Sequence, residues 1–196
     1  MVAGAFNPTM GAVGIVVTGK RPGHFVALTE GGRIDAYLTQ PGVRLPDALG
    51  RRSPVAINNA RQGPANGVSL TLAGTLKSVD PFDVTVAMPA IDGEPCVSDA
   101  DRDAWSRFRV VYDATIEAPP FKVIGVLLLL PSQDPSALTE RGSELFLPVF
   151  APSVQFNGVP IIDTPRDAVL VNRSHIRSVS ATMRGEVHPA TDTRVS

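Results

Sequence analysis

Several stretches of this chain carry residue types that do chemistry elsewhere, and each fails on spacing or context. Gly14-Ile15-Val16-Val17-Thr18-Gly19-Lys20 has the spacing of a phosphate-binding loop. That loop needs flexible backbone, a hydroxyl for the metal and a helix behind it. Here Ile15, Val16 and Val17 are strand formers, Arg21 stands at the hydroxyl position, and Pro22-Gly23 blocks a helix. The three histidines, His24, His175 and His188, lie far apart, and Cys96 is the single cysteine. No metal-ligand spacing results, so we expect surface or hydrogen-bonded histidines and no metal or other cofactor. Neither a G-x-S-x-G elbow nor an H-E-x-x-H pair is present. Cys96 stands near Glu94 and Asp99, whose charges oppose thiolate formation. Asp99, Asp101 and Asp103 lack the loop of a calcium site and read better as the acidic start of a helix behind Ser98.

Arginines offer the remaining chemistry. Arg51-Arg52, followed by Asn58-Asn59-Ala60-Arg61-Gln62-Gly63, faintly resembles the cyclic-dinucleotide-binding barrel domains. In that pattern two arginines clamp phosphates and a polar loop meets a base edge. Here Ala60 replaces the loop serine and the arginines are adjacent instead of four apart. Arg51, Arg52, Asn58 and Arg61 are therefore candidate residues for a small anionic ligand, with a solvated basic turn as the plainer reading. Near the end, Arg173, His175 and Arg177 would share one face if their segment were a strand. Trp105 and Phe108 follow the acidic stretch and would pack a linker onto the second half or mark a contact patch.

The composition bounds the partners. Eighteen basic residues against 19 acidic ones give a net charge of −1, so no overall field draws the chain to nucleic acid. The apolar run at Val126–Leu130 ends at Pro131, far short of a membrane span. The N-terminal stretch has no basic residue ahead of its apolar part, as a signal peptide would have, and with one cysteine a disulfide framework is impossible. We expect a cytoplasmic protein.

Seventeen glycines and 18 prolines suit short strands joined by turns. Alternation predicts strands at His24–Thr29, Arg33–Thr39, Val55–Asn59, Val68–Leu76, Asp83–Met88, Phe108–Glu117, Glu144–Phe150, Val154–Ile162 and within Ala168–Ala181. Phe121–Leu130 is apolar on both faces after Gly125 and predicts a strand that is central or covered on both sides. Pro46 and Gly50 bracket one helical turn. A short helix is expected over Asp99–Ser106.

An internal repeat organises these elements. Leu45-Pro46-Asp47-Ala48-Leu49 matches Asp134-Pro135-Ser136-Ala137-Leu138, with an apolar strand before each and another after. Asp83-Val84-Thr85-Val86 likewise matches the segment from Asp167 to Val171. The expected fold is mainly β: two related small β-barrel or bent-sheet units in tandem, each of about five strands and one helical turn. The expected layout is a flexible arm at 1–12, a first unit at 13–89, a linker with a short helix at 90–106, a second unit at 107–182, and a disordered tail at 183–196.

Residues 121–180 resemble a bacterial family of small β-domains of unknown activity. The resemblance rests on Gly125-Val126-Leu127, Asp134-Pro135-Ser136-Ala137-Leu138-Thr139, Phe146-Leu147-Pro148-Val149 and Val169-Leu170-Val171-Asn172-Arg173-Ser174-His175-Ile176. The family's Arg-Leu-Ser-Asp turn start is replaced here by Gln133-Asp134-Pro135-Ser136. The resemblance implies a fold and no catalytic residues. From sequence, the function expected is a non-catalytic protein-interaction or self-assembly module, and the alternative is a sensor of a small anion or nucleotide.

Overall fold

The computed structural model describes residues 23–67, 69–140, 144–161 and 167–184. The expected arm, the phosphate-loop-like stretch, His188 and the tail beyond Arg184 lie outside the described residues, as do Val68, Arg141 and Arg166.

Among the described residues twelve strands form one antiparallel sheet. They are β1 (His24–Thr29), β2 (Gly32–Leu38), β3 (Val55–Gly63), β4 (Thr71–Leu72), β5 (Ser78–Val79) and β6 (Val84–Pro89), then β7 (Val110–Ala118), β8 (Phe121–Leu129), β9 (Phe146–Phe156), β10 (Val159–Pro160), β11 (Ala168–Asn172) and β12 (Ser178–Met183). Two helices accompany them, α1 (Leu45–Gly50) and α2 (Asp99–Phe108). The strand order is β12-β7-β8-β9-β11-β6-β1-β2-β3-β4, with β10 beside β9 and β5 beside β3. Among the described strands the path is open at β12 and β4 and does not close into a barrel. No helix among the described residues is long and apolar enough to cross a membrane.

The sheet is mainly β as expected, but its burial differs from the sequence reading. Strands β1, β6, β9 and β11 are buried on both faces. Phe25, Ala27, Val84, Ala87, Phe146 and Leu170 enter one core, and Val26, Leu28, Val86, Met88, Val149 and Val169 enter the other. The first core is completed by β2, β3 and α1, the second by β7 and β8. The two flanks thus cover opposite faces of a shared central layer. Strand β8 buries Phe121, Val123, Leu127 and Leu129 in the second core. After Gly125 its other side is half-covered as well, since Val126 and Leu128 pack against the first core, while Ile124, before Gly125, stays exposed.

The two segments that the repeat equates, in β6 and β11, are neighbours, with Val171 opposite Val86 and Leu170 opposite Ala87. The strand order differs on either side of that seam: β6 continues to β1, and β11 continues to β9.

Local chemistry explains most boundaries. Glu30-Gly31 closes the β1–β2 hairpin. A Cβ at Gly32 would lie 2.4 Å from the Gly63 carbonyl oxygen, so only glycine lets β3 approach there. Strand β3 runs on to Gly63 instead of ending at Asn59, because Arg61, Gln62 and Gly63 still pair with β2. A bulge absorbs the mismatch, with Asn59 at φ 49°. Of the expected strand Val68–Leu76, whose first residue lies outside the described ones, only Thr71–Leu72 is strand among the described residues, with both side chains exposed. The strand expected at Glu144–Phe150 and the start of the one expected at Val154–Ile162 are one strand, β9, bulged where Ala151 takes φ 44°. The interruption of the second run at Asn157-Gly158 is a tight turn that returns Val159–Pro160 onto β9 as β10. Gly125 faces that bulge, where a Cβ would meet the Phe150 carbonyl oxygen at 2.6 Å. The Asp80, Asp134 and Asn172 side chains each accept a backbone N–H two residues on, and each starts a 3-10 turn.

Candidate ligand cleft

Helix α2 determines where a cavity forms. Ser98 caps it by accepting the Asp101 N–H at 3.1 Å, while the Ser98 hydroxyl donates to the Asp101 carboxylate at 2.8 Å. The preceding loop is anchored by Cys96 and Val97, both buried in the first core. Trp105, on the inward side of α2, meets the edge of Phe150 with ring centres 6.1 Å apart and an interplanar angle of 81°. Arg109 follows the helix, and its guanidinium carbon lies 4.4 Å from the Trp105 ring centre.

Between α1, α2 and the sheet lies a cleft of about 430 Å³. Val97, Leu128, Leu145, Phe146 and Leu170 supply its apolar lining, and all five belong to or pack on the first core. Three arginines also line it: Arg44, Arg109 and Arg173. Arg44 donates to Asp47 at 2.9 Å and 3.3 Å and to Asp101 at 3.1 Å. Asp47, foremost, and then Asp101 raise the Arg44 pKa above its ordinary value. The Asp101 carboxyl is held below the usual range, first by the Ser98 hydroxyl and then by Arg44. Arg109 donates from Nη1 to the Leu128 carbonyl oxygen at 3.1 Å. Arg173 is different: its Nε is buried with no hydrogen-bond partner among the described residues.

Two groups with the elements of reactivity are committed elsewhere. The Cys96 thiol is pushed up to about 12, mainly by burial and secondarily by the Asp167 charge, so it remains protonated at neutral pH. Its inertness was legible in the sequence, but the cause expected there, the nearby Glu94 and Asp99, is not the operative one. His24 lies between two carboxylates, with Nδ1 2.5 Å from Asp92 Oδ1 and Nε2 2.8 Å from Asp35 Oδ1. Tyr37 stacks on the ring at 4.3 Å. Neither ring nitrogen is open to take a proton from a substrate. The contacts fasten the loop after β6 to β1 and β2, helped by the Ala90 N–H donating to the His24 carbonyl oxygen at 3.0 Å. No His, Cys, Asp or Glu group suited to a metal ion occurs among the described residues.

The residues singled out from sequence are dispersed. Arg51, at the end of α1, donates to Gln40 at 3.0 Å and lines a separate cavity of about 170 Å³. Arg52 follows it at φ 57°. Asn58 and Arg61 are on the exposed side of β3, opposite Tyr37 and Asp35. Arg61 is six residues beyond the start of that strand, roughly 15–20 Å along it, so the structure does not gather Arg51, Arg52 and Arg61 at one point. Of the second group, Trp105 and Arg173 line the same cleft. Phe108 is 73% exposed. The segment holding Arg173 and His175 is a 3-10 turn and no strand, because the Asn172 side chain captures the Ser174 N–H at 2.9 Å. Arg173, His175 and Arg177 therefore do not share a strand face. His175 bonds the Phe82 carbonyl oxygen at 2.7 Å and Thr85 Oγ1 at 3.3 Å, fixing the turn to the start of β6. Arg177 is exposed, and its backbone N–H donates to the Glu117 carbonyl oxygen.

Sequence reasoning missed Arg44 and Arg109, which join the cleft only through the packing of α1 and α2. Comparison with family models, with curated proteins and with solved structures finds no match for this chain.

Proposed function

We propose that this chain is a non-catalytic binding module whose cleft under α2 receives the apolar part of a ligand. The observation that carries the reading is the combination of an apolar lining and an arginine-bearing wall around about 430 Å³. That volume lies in the range of roughly 300–1,000 Å³ typical of small-molecule sites. The commitment of Cys96 to the core and of both His24 nitrogens to carboxylates supports binding over catalysis. Trp105, the single tryptophan, lines the cleft and reports on it directly. Titration with the neutral dye Nile red is expected to quench Trp105 by energy transfer. Leu128→Arg, which places a charge in the lining, is expected to weaken the dye about tenfold or more, since a charge then has to be desolvated. Equal quenching in both proteins, or none in the unaltered one, would sink the proposal.

A second reading is self-association through the sheet edge. Strand β12 pairs with β7 alone among the described strands, and its sequence Ser178–Met183 carries none of the charges or prolines that usually guard an edge. Antiparallel pairing of two such edges would give a twofold dimer. Native mass measurement across concentration tests it, and a strict monomer at high micromolar concentration removes it.

A further inference from the structure

We infer that the cleft's ligand is a small amphiphile with a single carboxylate on an apolar chain, and that Arg173 receives the carboxylate. The inference rests on the cleft being the binding site, as proposed above. Of the three arginines in the lining, two are already engaged: Arg44 by Asp47 and Asp101, and Arg109 by the Leu128 carbonyl oxygen and the Trp105 face. Arg173 keeps a buried Nε without a partner and holds no ion pair among the described residues. The buried Nε is a cost the fold already carries, and the remaining N–H fork of the guanidinium matches a carboxylate in two parallel bonds. The apolar wall formed by Leu128, Leu145, Phe146 and Leu170 then takes the chain.

The charge of the ligand is limited by the same wall. Arg44 bonds both Asp47 and Asp101, so its one positive charge faces two negative ones, and Glu144 also lines the cleft with no partner among the described residues. Its charge opposes a multiply charged anion, so one negative charge is accepted more readily than a phosphate dianion. This distinguishes the site from the nucleotide pocket that the adjacent arginines Arg51 and Arg52 suggest in the sequence.

Calorimetry on the full chain with decanoate, decanol and decyltrimethylammonium tests the inference. Decanoate is expected to bind about ten- to hundredfold tighter than decanol, the range a charge-assisted hydrogen bond supplies. Arg173→Met is expected to erase that preference while keeping the decanol affinity. Glu144→Gln, an exposed change that leaves the fold alone, is expected to tighten decanoate severalfold. If decanoate and decanol bind alike, or Arg173→Met keeps the preference, the assignment of Arg173 is wrong while the cleft stands. A preference for decyltrimethylammonium makes Glu144 the anchor and overturns the inference. If none of the three probes binds, the cleft itself is refuted as the site.

Discussion

The guanidinium of Arg109 covers the indole of Trp105 at 4.4 Å and at the same time donates to the Leu128 carbonyl oxygen on β8. One side chain thereby joins the end of α2 to the sheet. The bond to β8 fixes the guanidinium, and the fixed guanidinium holds the indole against Phe150. The roof of the cleft depends on that chain of contacts.

Replacing Arg109 by alanine removes both contacts. The expected cost is about 1 kcal/mol, the size of a cation–π contact plus one partly exposed hydrogen bond. Urea unfolding followed by Trp105 emission measures it. The folded-state emission is also expected to shift to longer wavelength as water reaches the ring.

Asn172 is the buried polar residue with most to lose. Its amide donates to the Pro81 and Val84 carbonyl oxygens at 2.9 Å and 2.8 Å, and its oxygen accepts from Ser174. Asn172→Ala leaves two carbonyls without that donor and is expected to cost about 2–4 kcal/mol. The denaturation midpoint is the readout. A loss below half a kcal/mol would show that water replaces the amide.

Cys96 makes stability depend on alkaline pH. Its folded pKa, about 12, lies above the ordinary value of 9.0. Between those values the unfolded chain loses the thiol proton and the folded chain keeps it, so the folded state is favoured less as pH rises. The contribution is fully present below pH 9.0 and is lost as pH climbs toward about 12, with a slope of about 1.4 kcal/mol per pH unit. Cys96→Ala is expected to flatten that part of the stability profile. Native Cys96 is also expected to react with a thiol reagent only at the rate of local or global opening.

Ser98→Ala removes the cap of α2 and is expected to cost about 1 kcal/mol. It also removes the largest influence holding Asp101 low. The Asp101 titration, followed by carbon NMR, should move up toward the usual carboxylate value. A lowered carboxyl contributes stability above its unfolded pKa and loses it as the solution is acidified. The acid-side loss should therefore be smaller in the variant.

Much of the fold could be read from local pattern. Alternation located β1, β2, β6, β7 and β11, Pro46 and Gly50 bracketed α1, and Ser98 announced α2. The failures share a cause. Strand β8 reads as apolar on both faces and packs toward both cores after Gly125, but how deeply each face is covered depends on what lies over it, and Val126 and Leu128 end only half-buried. The turn at Arg173–His175 reads as strand because Asn172 gives no sign, on its own, that its side chain will take the Ser174 N–H. Of the cleft, Trp105 and Arg173 were singled out as separate features, and nothing in their spacing joined them to each other, to Arg44 or to Arg109.

The amino-acid order alone determined that this chain is β-rich, nearly neutral, unable to form an internal disulfide, and punctuated by Pro, Gly and Asx turns. Those properties depend on periodicity, charge count and dihedral preference, which act over a few residues. The tertiary structure decided that the described strands form an open path, that its flanks cover opposite faces of one central layer, and that a cleft forms beneath α2. It also decided which of the cleft's arginines keeps a buried side-chain nitrogen without a partner among the described residues. Burial and pairing depend on residues distant in the chain, and a side chain's charge acquires meaning only when its neighbours in space are fixed.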